Sequence, residues 1–205
     1  AASVLRGVEF IQVPTSLLAQ VDSSVGGKTG IDHHLGKNLI GAFHQPSMVI
    51  IDPHVLATLP AREFRNGLAE VIKIAMALDR KFFGMLARRP QDLQPGNSRS
   101  MTRVISTAVG LKAAVVEKDE RESGLRKVLN LGHTLGHAIE AASGFALRHG
   151  EAVAIGMVLE GRMAATTGLL PVNDLLRLKH LLDEVGLPTH VPGKLDMHKV
   201  FTSLA

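Results

Sequence analysis

The chain has 205 residues, 45% hydrophobic and 20% charged, enough to bury an ordinary core in one domain or in two small ones. With no Cys, Trp or Tyr and seven Phe, it excludes disulfides, thiolate metal sites and cysteine nucleophiles, and offers little for stacking bases. Ten His mean that any transition metal must use His with Asp or Glu, and the net charge of +4 comes from dispersed Lys and Arg that form no nucleic-acid footprint. Small anions suit those cations. No run of about 18 apolar residues suggests a membrane span, and no signal peptide or lipidation motif is present. A cytoplasmic protein without nucleic-acid or membrane partners is expected. The start at Ala1, directly in strand-like sequence, reads as a piece cut from something longer.

Val8–Val13 is a short β-rich run stopped by Pro14, and Met48–Ile51 is another, stopped by Asp52-Pro53. Between them Gly26, Gly27, Gly30, Gly36 and Gly41 suit loops that approach a ligand. After Pro53 the pattern turns helical. Pro60 fits the first turn of a helix running to about Leu78, with Leu68, Val71, Ile72 and Ala75 apolar. Residues 79–89 predict a short helix, and 91–100, containing Pro95-Gly96-Asn97, a loop. Further helices are expected over 101–118, 125–142, 151–166 and 175–185, and from 195 to the end. The expected fold class is an α/β remnant, residues 1–54, plus an all-α domain, residues 55–205, mostly helical over the residues present.

On a continuous helix over 125–142, Arg126, Asn130, His133 and His137 fall within an arc of roughly 60°, opposite Val128, Leu131, Leu135, Ala138 and Ile139. A solvated face would favour Lys and Glu. This stripe instead reads as the wall of a polar cleft, and Gly132 and Gly136, each costing about 1 kcal/mol against Ala in mid-helix, invite a packing or ligand explanation. His133 and His137, one turn apart, can share a metal with a carboxylate from elsewhere. Thr134 stands where the Glu of HExxH would be, so the protease base of that motif is missing. Glu70 and Lys73 are i, i+3 neighbours that, taken alone, read as a surface ion pair. His149-Gly150-Glu151 opens an apolar helix, a weak signal by itself. Gly27-Lys28-Thr29 looks like the end of a P-loop, but Asp22 occupies the position of the required earlier Gly. What survives is a flexible segment with Lys28 and Lys37, suited either to binding phosphate or carboxylate or to a hairpin with solvated lysines.

Five segments together resemble the 3-dehydroquinate synthase family of sugar phosphate cyclases: VPTSLLAQVDSSVGGKTGID, GKNLIGAFHQP, TLPAREFRNGLAEVIK, ESGLRKVLNLGHTLGHAIE and HGEAVAIGM. The resemblance implies an α/β nucleotide-binding domain followed by an all-helical metal domain. It also implies a divalent metal, Zn or alternatively Co, on Glu70, His133 and His149, with His137 facing substrate instead. By the same matches, Lys28, Lys73, Lys112, Arg126, Asn130 and His137 would be catalytic, and Asp22, Asn38 and Arg6 would bind substrate, Arg6 in the neighbouring subunit of a homodimer. Thr15, Ser16, Lys28, Lys37 and the turn Val55, Leu56, Ala57, Thr58 would contact NAD. The implied activity is that of a phosphorus–oxygen lyase of the shikimate pathway. It converts 3-deoxy-D-arabino-heptulosonate 7-phosphate to 3-dehydroquinate by transient oxidation, β-elimination of phosphate, re-reduction and aldol closure.

Two departures stand out: the family's glycine-rich pyrophosphate turn and its C-terminal lysine segment lie outside these 205 residues, so the chain alone is expected to be inactive. His34 stands where Pro is common in the family. The competing readings are a 2-deoxy-scyllo-inosose or valiolone synthase type of cyclase, and a non-catalytic helical binding module.

Overall fold

The computed structural model describes residues 1–33 and 36–203, with only the backbone described at 32–33 and 36–39. Strand β1 (Ile11–Gln12) lies parallel to β4 (Met48–Val49), with Ile11 opposite Met48. The expected strand over 8–13 is thus only two residues long: Pro14 cannot donate to a ladder, and among the described residues β4 is its only neighbour. The glycine-rich segment between them is an antiparallel hairpin, β2 (Lys28–His33) on β3 (Gly36–Phe43), with Gly30 opposite Gly41.

After β1 the chain turns into a short π-helix over Ala19–Ser23, started by Ser16 Oγ accepting from the Ala19 amide at 3.2 Å. This turn puts Leu17 and Val21 fully inside the molecule. The buried Gln20 side chain donates to the carbonyls of Pro14 (3.3 Å) and Asp52 (2.9 Å), tying together the chain exits from β1 and β4. Leu17, Val21 and Leu56 belong to the same apolar core as the helices that follow.

Those helices are α1 (Ala61–Leu78), α2 (Arg80–Arg88), α3 (Ser98–Lys118), α4 (His133–Ala142), α5 (His149–Thr166), α6 (Val172–Glu184) and α7 (Met197–Thr202). Several starts are legible as caps: Asp79 accepts from the Lys81 and Phe82 amides, Asn97 from Ser100 and Asp196 from His198. Helix α1 is buried on every side from Asn66 to Ala75, and α5 from Ala152 to Val158. Two helices that are buried all round must lie at the centre of a bundle. They pack on each other, α2 and α3 cover α1, and α4 and α6 cover α5. Among the described residues no helix is long and apolar enough to cross a membrane.

The expected helix over 125–142 is two pieces. Leu125–Asn130 is a 3₁₀ turn, the chain breaks at Leu131-Gly132, and α4 begins at His133. The break follows from packing. Gly132 has φ +77°, and a Cβ on it would lie 2.6 Å from Met157 Cγ and 2.7 Å from the Val153 carbonyl. A Cβ on Gly156 of α5 would in turn lie 2.0 Å from the Gly132 carbonyl oxygen. Backbone therefore meets backbone where α4 starts against α5, and a continuous helical wheel does not apply across the join. Helix α5 starts at His149, two residues earlier than expected, so that histidine sits inside the first turn.

Gly156→Ala tests this contact. Overpacking of this kind costs about 1–3 kcal/mol, so the urea midpoint should fall with an unchanged m-value. An unchanged midpoint would mean that the two helices separate freely.

Candidate metal centre and anion cleft

Three helices meet at one group of side chains. Helix α1 supplies Glu70 and Lys73, both buried, at 0% and 2% exposure, rather than on the surface as an isolated i, i+3 pair would be. Helix α4 brings His133 and His137, and the first turn of α5 brings His149. Lys73 pairs with Glu70 Oε2, while His149 Nε2 and His133 Nε2 lie 3.3 and 3.7 Å from Glu70 Oε1. One ligand atom from each of Glu70, His133 and His149 lies within 4.8 Å of the other two, the set the resemblance implied. His137 is not remote: its ring centroid is 5.1 Å from that of His133 and 5.7 Å from that of His149, and with Glu140 and His149 it forms a second such group.

The electrostatics of this group are set by burial and by Lys73. Burial alone would raise the Glu70 carboxyl, but the Lys73 ammonium and the two imidazoles outweigh it and hold it ionised, well below the usual range. Burial pushes His133 down to about 4, with Lys73 acting in the same direction. His149 is also disfavoured as a cation by burial, yet the Glu140 and Glu70 carboxylates raise it to about 9. At neutral pH a positive charge is therefore held between two carboxylates. His133 Nδ1 lies 3.3 Å from the Leu131 carbonyl, which turns Nε2 toward Glu70.

These residues fit a divalent metal. Both Glu70 oxygens are buried without a hydrogen bond of good geometry, a costly state that a cation would relieve. One carboxylate oxygen and two imidazole nitrogens form a donor set suited to Zn²⁺ or Co²⁺.

A cleft of about 550 Å³ opens between the hairpin, the Ala19–Ser23 turn and α3, lined among others by Asp22, Lys28, Lys112 and Arg126. Lys112 is buried and donates to the Asp22 carbonyl (2.6 Å) and carboxylate. Arg126 is also buried, donating to the carbonyls of Glu120 (2.6 Å) and Gly26 (3.1 Å). Partial burial, then Arg126 and Lys112, lower the Lys28 pKa, and Lys73 adds to this, so cleft and metal group share one field. That field favours anions.

Three acidic residues in this region escaped the sequence reading. Asp119 accepts from the Ser123 amide (2.8 Å) and hydroxyl (3.0 Å) and from the Gly124 (2.8 Å) and Arg126 (2.9 Å) amides, which folds the loop that presents Arg126. Glu122, at φ +57°, pairs with Lys28 and accepts from Asn130 Nδ2 at 2.8 Å. In KDERES such residues look like a solvated charge run, and nothing in their spacing distinguishes them. Glu140 lies 3.6 Å from His149 Nδ1 and was legible only as one more residue of the α4 helix.

The remaining expected residues are more scattered. Arg6 is exposed at φ +64° and does not line the cleft. Thr15, Ala57 and Thr58 are exposed, Ser16 and Val55 half-buried, and the Leu56 side chain points into the core. Thr15 follows β1 and the Val55–Thr58 turn follows β4, so both leave the carboxyl edge of a parallel pair, where open α/β sheets bind nucleotides. The side chains of Lys37 and Asn38, and all of His34, lie outside the described residues.

Comparison with known proteins gives the family. Residues 1–66 match the family model described as 3-dehydroquinate synthase N-terminal, and residues 67–205 the one described as 3-dehydroquinate synthase C-terminal. The chain belongs to the 3-dehydroquinate synthase family. It is 53% identical over 205 residues to the 3-dehydroquinate synthase of Pelobacter propionicus, covering 100% of this chain and 57% of that protein. With the same enzyme of a Synechococcus species it shares 50% identity over 207 aligned residues, covering 100% of this chain and 56% of the relative. It thus spans little more than half the length of these curated relatives.

Among solved structures, 2-epi-5-epi-valiolone synthase from Streptomyces hygroscopicus, with NAD⁺ and Zn²⁺ bound, superposes with a TM-score of 0.91 at 31% identity, covering 100% of this chain and 57% of that one. A 2-deoxy-scyllo-inosose synthase complexed with carbaglucose-6-phosphate, NAD⁺ and Co²⁺ gives 0.83 at 28%, covering 100% and 56%. Both support the expected fold class, a cyclase-like chain that is mostly helical.

The Asp119 loop gives a pH test. Its carboxyl is held below the usual range chiefly by the Arg126 and Gly124 amides, so its contribution to stability is complete above the unfolded value near 4. It is lost as pH falls further. Asp119→Asn should therefore melt below wild type at pH 7, and the gap should narrow on acidification below about 4. A gap independent of pH would count against the clamp.

Proposed function

We propose that this chain is the metal- and substrate-binding part of a 3-dehydroquinate synthase, with residues 1–54 belonging to an α/β nucleotide-binding domain and 55–205 forming the helical one. One observation carries the reading: a group of buried Glu70 and half-buried His133 and His149 stands beside a cleft edged by Lys28, Lys112 and Arg126. When bound, NAD⁺ supplies a transient oxidation of one secondary alcohol and its later reversal, and a divalent ion supplies Lewis acidity at the substrate oxygens.

The chain's own residues do the rest. Lys28, Lys112 and Arg126 hold the substrate's phosphate and carboxylate and stabilise the charge that grows as phosphate departs. Lys73 keeps Glu70 ionised and lies close enough to balance negative charge at the reacting carbons. His137, exposed at the mouth of the histidine group, moves or holds a proton on a substrate oxygen, with Asn130 and Asn38 orienting the hydroxyls. Asp22 fixes the Lys112 ammonium. Thr15, Ser16, Lys37 and the Val55–Thr58 turn contact NAD, the turn through its backbone where Leu56 is concerned. Arg6 serves the neighbouring site of a homodimer, and the setting is the cytoplasm.

Two measurements test this. The purified chain should hold about one zinc ion, lost in Glu70→Ala, His133→Ala and His149→Ala but kept in His137→Ala. Equal loss in His133→Ala and His137→Ala would restore the i, i+4 pair as the ligands, and unchanged metal throughout would favour a non-catalytic helical module. The product of the complete reading frame, supplied with NAD⁺ and Zn²⁺, should release inorganic phosphate from 3-deoxy-D-arabino-heptulosonate 7-phosphate. The likeness to valiolone synthase motivates a control: release only from a sugar phosphate without a carboxylate would assign the chain to that kind of cyclase.

A further inference from the structure

Helix α4 begins at His133, yet the residue before it, Gly132, has no side chain to cap the helix. The first amides of a helix need acceptors, and here they come from the neighbouring helix. Glu160 of α5 accepts from the Gly132 amide through Oε2 at 2.7 Å and from the Leu135 amide through Oε1 at 3.3 Å. One carboxylate thus holds the backbone on both sides of His133. Its negative charge also suits the positive end of the α4 dipole.

Glu160 belongs to the helix that carries the other histidine ligand. His149, Val153, Gly156 and Glu160 are spaced four, three and four, which puts them on one face of α5. That face meets α4 throughout: Val153 and Gly156 make the close backbone contacts with Gly132, and at the far end the His149 ring lies 5.2 Å from that of His133, centroid to centroid. The Gly132–Gly156 contact sets how near the two helices come. It does not by itself fix how α4 is rotated about its axis. A carboxylate gripping two amides separated by three residues does fix that rotation, and the rotation decides where the His133 ring points.

We propose that Glu160 is a positioning residue for the metal centre: by capping α4 from α5, it sets the angle at which His133 meets Glu70 and His149. The inference rests on the metal reading given above.

The test is Zn²⁺ affinity of the 205-residue chain, measured by competition with a chromophoric chelator, together with the visible absorption of the Co²⁺ form. Supporting groups of this kind change metal affinity by about 10–100-fold. Glu160→Ala should weaken Zn²⁺ binding by about tenfold or more and alter the Co²⁺ bands, while Glu160→Gln, which keeps one oxygen acceptor, should recover part of both. A folded Glu160→Ala chain with a lower Tm but wild-type affinity and Co²⁺ spectrum would overturn the proposal, since a purely structural cap would do only that. If Glu160→Ala does not fold, Glu160→Gln decides: weakened affinity supports the role, and wild-type affinity and spectrum overturn it. Failure of the wild-type chain to bind Zn²⁺ would instead remove the metal reading on which the inference stands.

Discussion

Glu70 lies fully buried in the middle of α1, where the turns around it are packed among apolar side chains, and an isolated carboxylate does not stay ionised in such a place. What keeps it charged is the convergence of Lys73 from its own helix, His133 from α4 and His149 from α5. Much of the architecture serves that convergence. Helix α1 must run through the centre of the bundle to carry Glu70 inside, and α5 must lie along it to bring His149 within 3.3 Å. Helix α4 must start at one particular residue, against a glycine of α5, to deliver His133. Removing one partner of a buried pair leaves the other charge stranded, at a cost of about 3–5 kcal/mol, so the histidines and the lysine are constrained by folding as well as by chemistry.

The cleft is built on a different principle. Its cations are tethered one by one: Lys112 to Asp22, Arg126 to two carbonyls, Lys28 to Glu122. The loop from Asp119 to Gly132 links the two groupings, since it carries Arg126 and Asn130 and ends where α4 begins. A shift in that loop would therefore be felt both by the anion site and by the His133 backbone. The Asp119 carboxylate, with four hydrogen bonds inside the loop, restrains such a shift.

Periodicity, with Pro60 marking the first turn of α1, was enough to find α1, α2 and α3, although α3 begins at Ser98, inside the segment expected to be a loop, because Asn97 caps it. It was misleading over 125–142. There the pattern is helical on both sides of Gly132, and only the contact with Gly156, distant in sequence, shows why the chain must break. The burial of Glu70 and Lys73 was likewise invisible at i, i+3 spacing, because it depends on which helices cover α1. His133, His137 and His149 announced themselves by residue type. Glu122, Glu140 and Glu160 did not, since a glutamate on a helix or in a charged run is ordinary until its partner on another element is known.

The short parallel pair β1–β4 has a consequence for handling the chain. Ile11, Val13, Met48 and Ile50 are each about half exposed or more, and Ile31, Ile40 and Phe43 of the hairpin are similarly open. Parallel strands are ordinarily sheathed by other layers, and here apolar side chains coincide with strand edges that pair with no further strand among the described residues. Such an edge is a template for strand addition, so self-association of the 205-residue polypeptide at high concentration is expected to run through this corner, where exposed apolar side chains and open strand edges coincide.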